Sequence, residues 1–160
     1  MLSLLPLLCV KEKSFTMPPE ERFPPDDPRA WLSRARGHLV RADEPSDDVF
    51  FEDLCFDAQQ AAEKALKALC IHRSLEFPYV PRPVETDYVA SARGGDDSGR
   101  GARSAGRLTR YAVETRYPGL SEPVTEDEHE KAVTLAEQTV RWVEQRVEHS
   151  SETDGDDEGE

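Results

Sequence analysis

One stretch limits what this chain can become. From Val49 to Leu75 the sequence reads VFFEDLCFDAQQAAEKALKALCIHRSL, with Phe51, Leu54, Ala58, Ala62, Ala65, Leu66 and Leu69 recurring at spacings of three and four. That recurrence puts one apolar stripe on an α-helix, with Glu52, Asp57, Glu63, Lys64 and Lys67 largely off it. The three alanines of the stripe let a neighbouring helix approach closely. Asp47 or Asp48 is the expected N-cap, and Pro78, after Phe77, the expected stop.

Three further segments carry the same period. Asp27 and Pro28 have the form of an N-cap followed by proline at the first helical position, with Trp31, Ala35, Leu39 and Ala42 on one stripe and Pro45 beyond. Leu108, Tyr111, Ala112 and Thr115 form a shorter stripe, stopped by Pro118-Gly119. Thr125-Glu126-Asp127-Glu128 has the form of a capping box, and Ala132, Leu135, Ala136, Val140, Val143 and Val147 follow on one side to about His149. No segment alternates apolar and polar residues. The predicted fold is all-α, an antiparallel four-helix bundle over residues 27–149. Residues 1–26, with an apolar start too short to span a bilayer and a proline-rich continuation from Met17, read as a disordered or over-annotated lead. Residues 150–160 read as a disordered acidic tail.

The segment 81–105 interrupts this pattern. It contains no Leu, Ile or Phe and four of the nine glycines, and is expected to be irregular where a bundle would place a helix. Its GGDDSGRG is a poor phosphate loop, because no Gly-Lys-Ser/Thr follows and Asp96-Asp97 would repel the ligand.

Charge narrows the function classes. With 33 acidic and 20 basic residues the net charge is −13, of which the tail from Glu152 to Glu160 supplies six acids. A surface of that sign repels nucleic acid and anionic membrane in general, leaving only local basic sites. Cys9, Cys55 and Cys70 are odd in number and have no CxxC spacing, which argues against a disulfide framework or a structural zinc. His38, His72, His129 and His149 contain no pair at the i, i+4 spacing of a helical metal face, so neither metal nor cofactor is called for.

FFEDLCFDAQQAAEKALKALCIHRSLEFPYV, then LTRYAVETRYPG, then VTEDEHEKAVTLAEQTVRWVEQRV closely resembles the HEPN domain of prokaryotes, and PRAWLSRARGHLVRA resembles its first helix. The resemblance implies a small helical bundle that forms homodimers and is encoded beside a minimal nucleotidyltransferase, its partner in a toxin–antitoxin-like pair; the cysteines, read as reduced and packed as small apolar groups, fit a cytoplasmic protein. It also implies that catalytic members are metal-independent ribonucleases, whose motif is an arginine followed by a histidine after four to six intervening residues.

At that spacing from Arg116 stand Ser121, Glu122 and Pro123. From Arg110 stand Thr115, Arg116 and Tyr117, and from Arg107 stand Ala112, Val113 and Glu114. None is histidine. His129 is thirteen residues past Arg116, in the acidic first turn of the last helix. Arg116 could still stabilise a phosphorane charge, but Tyr117 is a poor base at an ordinary pKa near ~10. Arg116 and Tyr117 are thus weak catalytic candidates. Arg110, Arg116 and Tyr117 are candidates for binding RNA or a nucleotide, and Phe51, Leu54, Ala58, Ala62 and Ala65 for the partner interface. The expected function is a non-catalytic HEPN-type binding partner, with a ribonuclease toxin and a purely structural helical dimer as alternatives.

Overall fold

The computed structural model describes residues 22–75, 99–114, 119 and 122–152. They form helices α1 (Pro28–Ala42), α2 (Phe51–His72), α3 (Gly99–Leu108), α4 (Tyr111–Glu114) and α5 (Glu126–Glu152). The fold is all-α.

The start of α1 is built as its sequence dictates. Asp27 takes an extended backbone, its Oδ1 accepts the Arg29 amide at 2.8 Å, and Pro28 opens the helix. The residues just before it, expected to be disordered, are tied down. The Asp27 amide donates to the Pro24 carbonyl at 3.0 Å, the Trp31 Nε1–H donates to the Pro25 carbonyl at 2.7 Å, and the Arg29 guanidinium lies 4.4 Å from the centre of the Phe23 ring. The chain preceding the cap is therefore part of the fold from Phe23 onward. Ala35 and Ala42 of the expected stripe are fully buried, but Leu32 replaces Trp31 in the centre. Trp31 and Leu39 pack at the edge.

The central helix is α2. Eleven of its 22 residues are buried, among them five alanines, so it is covered over much more than one stripe. It packs against α1 and α5, and also touches α3 and α4. Its start differs from expectation: neither Asp47 nor Asp48 caps it. Phe50, 73% exposed, takes the N-cap position with no side-chain hydrogen bond. Glu52 and Asp53 in the first turn supply the negative charge instead. Its end also precedes Pro78. Ser74 adopts a left-handed φ of 54°, the Leu75 amide donates to Cys70 O at 2.9 Å, and the Ser74 amide donates to Ile71 O at 3.0 Å. This is a Schellman closure with serine where glycine is usual.

The last helix begins with the capping box read from the sequence. The Glu128 amide donates to Thr125 Oγ1 at 3.3 Å, and Glu128 Oε2 accepts the Thr125 amide at 3.0 Å. Ala132, Ala136, Val140, Val143 and Val147 are buried as expected, while Leu135 is half-buried. The helix continues three residues beyond the expected limit, to Glu152.

The third helical region departs most. A turn at Thr109-Arg110 divides the expected helix into α3 and α4, and Thr115 is outside the described residues. Helix α3 extends back to Gly99, so the end of the stretch read as irregular is helical. Burial offsets its poor composition: Ala105 and Leu108, one turn apart, enter the common core as α3 packs on α5. Residues 81–98 lie outside the described set.

Cross-helix contacts fix direction. Arg36 of α1 meets Glu144 of α5 while Ala42 meets His129, and Trp31 meets Lys67 of α2 while Arg41 meets Asp57. Helix α1 is therefore antiparallel to both α2 and α5, and these two run parallel, as in an up-down-up-down bundle.

Ser74 yields a test. A left-handed serine is more costly than a left-handed glycine, so Ser74→Gly should stabilise the protein by about 0.5–1 kcal/mol in urea unfolding, after allowing for glycine's greater unfolded-state entropy. A destabilised variant would contradict the closure.

Candidate functional site

The turn between α3 and α4 delivers two side chains to the start of α5. Leu108 is fully buried and anchors the turn, so Arg110 projects outward, while Tyr111 is 4% exposed. One Arg110 terminal nitrogen donates to the Tyr111 hydroxyl at 2.6 Å and to Glu128 Oε1 at 3.1 Å. The guanidinium also lies 4.6 Å from the centre of the Tyr111 ring. Glu128 thus serves two ends: one oxygen closes the capping box and the other holds Arg110.

Electrostatics follow from these contacts. The Thr125 amide, followed by Arg110, holds the Glu128 carboxyl below its ordinary 4.5. The hydrogen bond to Tyr111 raises the Arg110 guanidinium still further. Burial raises the Tyr111 phenol despite Arg110, so the ring stays neutral at physiological pH. Behind it, burial pushes the Cys55 thiol up to about 12, although a hydrogen bond with Tyr111 pulls the other way. Burial likewise pushes Cys70 up to about 11. Both cysteines are free and buried, and neither is a thiolate nucleophile at neutral pH.

Beside this cluster is an open groove of ≈ 590 Å³ between α3 and α5. Ala132 and Leu135 supply its apolar lining, and Arg107, Arg110, Glu128 and Lys131 its charged edge. Sequence reasoning found Arg110 alone among these. Glu128 was legible only as a cap, although Lys131, one turn on, already marked that side of α5 as charged.

His129 faces elsewhere. It is 5% exposed, its Nε2–H donates to the Ala42 carbonyl at 2.7 Å, and its ring stacks on Phe51 with centroids 5.1 Å apart. It serves the C-terminal end of α1, where helix carbonyls lack intrahelical partners. Arg116 and Tyr117 lie outside the described residues.

The predicted partner interface needs correction. Leu54, Ala58, Ala62 and Ala65 are at most 4% exposed, and Phe51 is held against His129. Leu54 and the alanines belong to the bundle's own core, because α1 and α5 close over that face, and Phe51 is partly buried at its end. Among the described residues no group of three His, Cys, Asp or Glu could hold a metal ion, and no helix is long and apolar enough to cross a membrane.

The HEPN domain model matches residues 28–146, from the first residue of α1 to near the end of α5. The chain belongs to the HEPN domain family. Its fold is similar to that of a Thermus thermophilus protein, at 31% identity over 74% of this chain and 96% of that one, with a TM-score of 0.61. An archaeal HEPN homologue shares the fold at 22% identity and a TM-score of 0.58, over 76% of this chain and 98% of that one. No curated protein matches the chain. In this HEPN domain the matched stretch takes in α1, α2, α3 and α4 whole and α5 as far as residue 146.

Glu128 gives a pH prediction. A carboxyl held below 4.5 in the folded state adds stability above pH 4.5, and that contribution disappears as pH falls through its folded value. Thermal melts should therefore show a shallower acid loss for Glu128→Gln than for wild type below pH 4.5, from a lower starting melting temperature at pH 7. Parallel acid limbs would contradict the assignment.

Proposed function

We propose that this HEPN-domain protein acts as a non-catalytic binding partner, pairing with a minimal nucleotidyltransferase in a toxin–antitoxin-like module, itself as a homodimer in the cytoplasm. The observation that carries the reading is the commitment of His129. A ribonuclease of the family's type needs an imidazole free to accept a proton from a ribose hydroxyl, and this one is buried and donates to a backbone carbonyl. Arg110, too, is turned toward Tyr111 and Glu128.

What this arrangement favours is association. An apolar lining with a charged edge accepts an apolar side chain from another protein and selects it by charge. The α3–α5 groove replaces the alanine face of α2 as the partner surface in this proposal. Arg116 and Tyr117, two and three residues past the end of α4, remain the proposed contacts for RNA or a nucleotide, together with Arg110.

Finding a minimal nucleotidyltransferase reading frame beside this one, and co-expressing the two, tests the proposal. The two chains should co-purify, and reversing charge at the exposed rim with Lys131→Glu should weaken the complex at least ~10-fold while leaving the melting temperature unchanged. Purified protein incubated with tRNA in EDTA should leave it intact. Specific cleavage that is lost in Arg116→Ala would overturn the reading in favour of a metal-independent ribonuclease.

A further inference from the structure

Near the end of α1, three atoms form a triangle that no single placement of hydrogen satisfies. His38 Nδ1 lies 2.6 Å from Asp57 Oδ1 of α2. A terminal nitrogen of Arg41 lies 2.5 Å from that Nδ1 and 2.9 Å from that Oδ1. A guanidinium only donates and an ionised carboxylate only accepts, whereas an imidazole nitrogen does one or the other. Carrying hydrogen, Nδ1 donates to Asp57 and stands donor to donor with Arg41. Bare, it accepts from Arg41 and sets its lone pair against Asp57. One edge of the triangle is unfavourable in either state, and the proton on Nδ1 decides which.

The charges around the triangle set its direction. On α1, Arg41 is one turn after His38 on the same face, while Arg34, one turn before it, is turned to the Trp31 ring at 5.2 Å. Helix α2 brings Asp57 and Lys64 to His38. Glu144 of α5, the other helix packed on α1, pairs with Arg36, which is two residues from His38 and so nearly opposite it around the helix. Burial lowers the His38 imidazole below its ordinary 6.5, the bond to Asp57 opposes this, and Lys64 and Arg41 push the same way as burial. The ring is thus uncharged at neutral pH.

The three members differ in freedom to move. Asp57 and His38 side chains are about four-fifths covered, whereas Arg41 is 55% exposed and has water to move into. Arg41 is therefore the member that yields. It adjoins Ala42, whose carbonyl accepts from His129, so the turn that would change partners also anchors α1 to α5.

We propose that His38, Arg41 and Asp57 form a proton-operated switch between α1 and α2. Neutral His38 keeps Nδ1 bare and accepts from Arg41, which bridges it to Asp57. Protonated His38 donates to Asp57 instead, and Arg41 leaves the carboxylate for solvent. The link between the helices passes from one α1 side chain to another, and one guanidinium is freed at the surface. The switch shares no residue with the α3–α5 groove, so its failure leaves the partner proposal standing.

The folded protein takes up this proton at lower pH than the unfolded chain. Its stability is therefore complete above 6.5 and declines as pH falls through 6.5 toward the folded value.

Nitrogen NMR of the full chain, isotope-labelled at histidine and arginine, follows both sides of the exchange. His38 Nδ1 should be unprotonated at about pH 7.5 and gain its proton with a midpoint below 6.5, the Arg41 side-chain resonances shifting over the same range. Arg41→Gln removes an opposing cation and should raise the midpoint by at least ~0.5 in pH. Asp57→Asn should lower it, and exposed Arg141→Gln on α5 should leave it in place, with circular dichroism verifying the fold of each variant. Urea unfolding gives a second readout: between about pH 7.5 and about pH 5.5 wild type should lose more stability than His38→Gln. A His38 Nδ1 that is protonated at about pH 7.5, or Arg41 resonances that do not follow His38, would overturn the proposal. So would a midpoint unmoved by Arg41→Gln, or equal losses of stability in wild type and His38→Gln.

Discussion

The bundle depends on how near its helices can come to α2. Five alanines on this helix are buried, and Leu54, Leu66 and Leu69 with Cys55 and Cys70 fill the space that they leave. Small side chains allow backbones to approach, and approach brings the larger residues of α1, α3 and α5 into one continuous core. Buried Gln59 and Thr139 are compatible with this because they are satisfied. Gln59 exchanges hydrogen bonds with Glu63 and Gln60, and the Thr139 hydroxyl donates to the Leu135 carbonyl one turn back.

That constraint also explains where function can reside. The alanine face of α2 is covered by its own neighbours, so the apolar stripe of this helix is spent on folding. Recognition is proposed for the α3–α5 groove, which Tyr111 ties to the core beside Cys55, while Trp31 on α1 is held to the N-terminal turn by its bond to Pro25.

Features encoded locally are legible in the amino-acid order itself. The Asp27-Pro28 start and the Thr125–Glu128 box involve residues two or three apart, whose hydrogen bonds need no tertiary partner. Helical class and most of the α5 stripe follow from period alone. Features decided by distant packing are not legible in this way. A stripe of alanines reads equally as an external interface or an internal seam until the neighbours of α2 are known. Helix α3 has three glycines and low intrinsic propensity, so only the burial of Ala105 and Leu108 against α5 makes it helical. The role of His129 was hidden because its acceptor, the Ala42 carbonyl, is 87 residues away.

Enlarging one side chain of the alanine seam probes the close approach itself. Ala62 is 1% exposed in the core cluster, and Ala62→Leu inserts a side chain for which a close-packed crossing has no room. Denaturant unfolding should show a loss of about 1–3 kcal/mol, with helical content retained. An unchanged or increased stability would mean that the helices do not close on the alanines of α2, and the packing described above would be wrong.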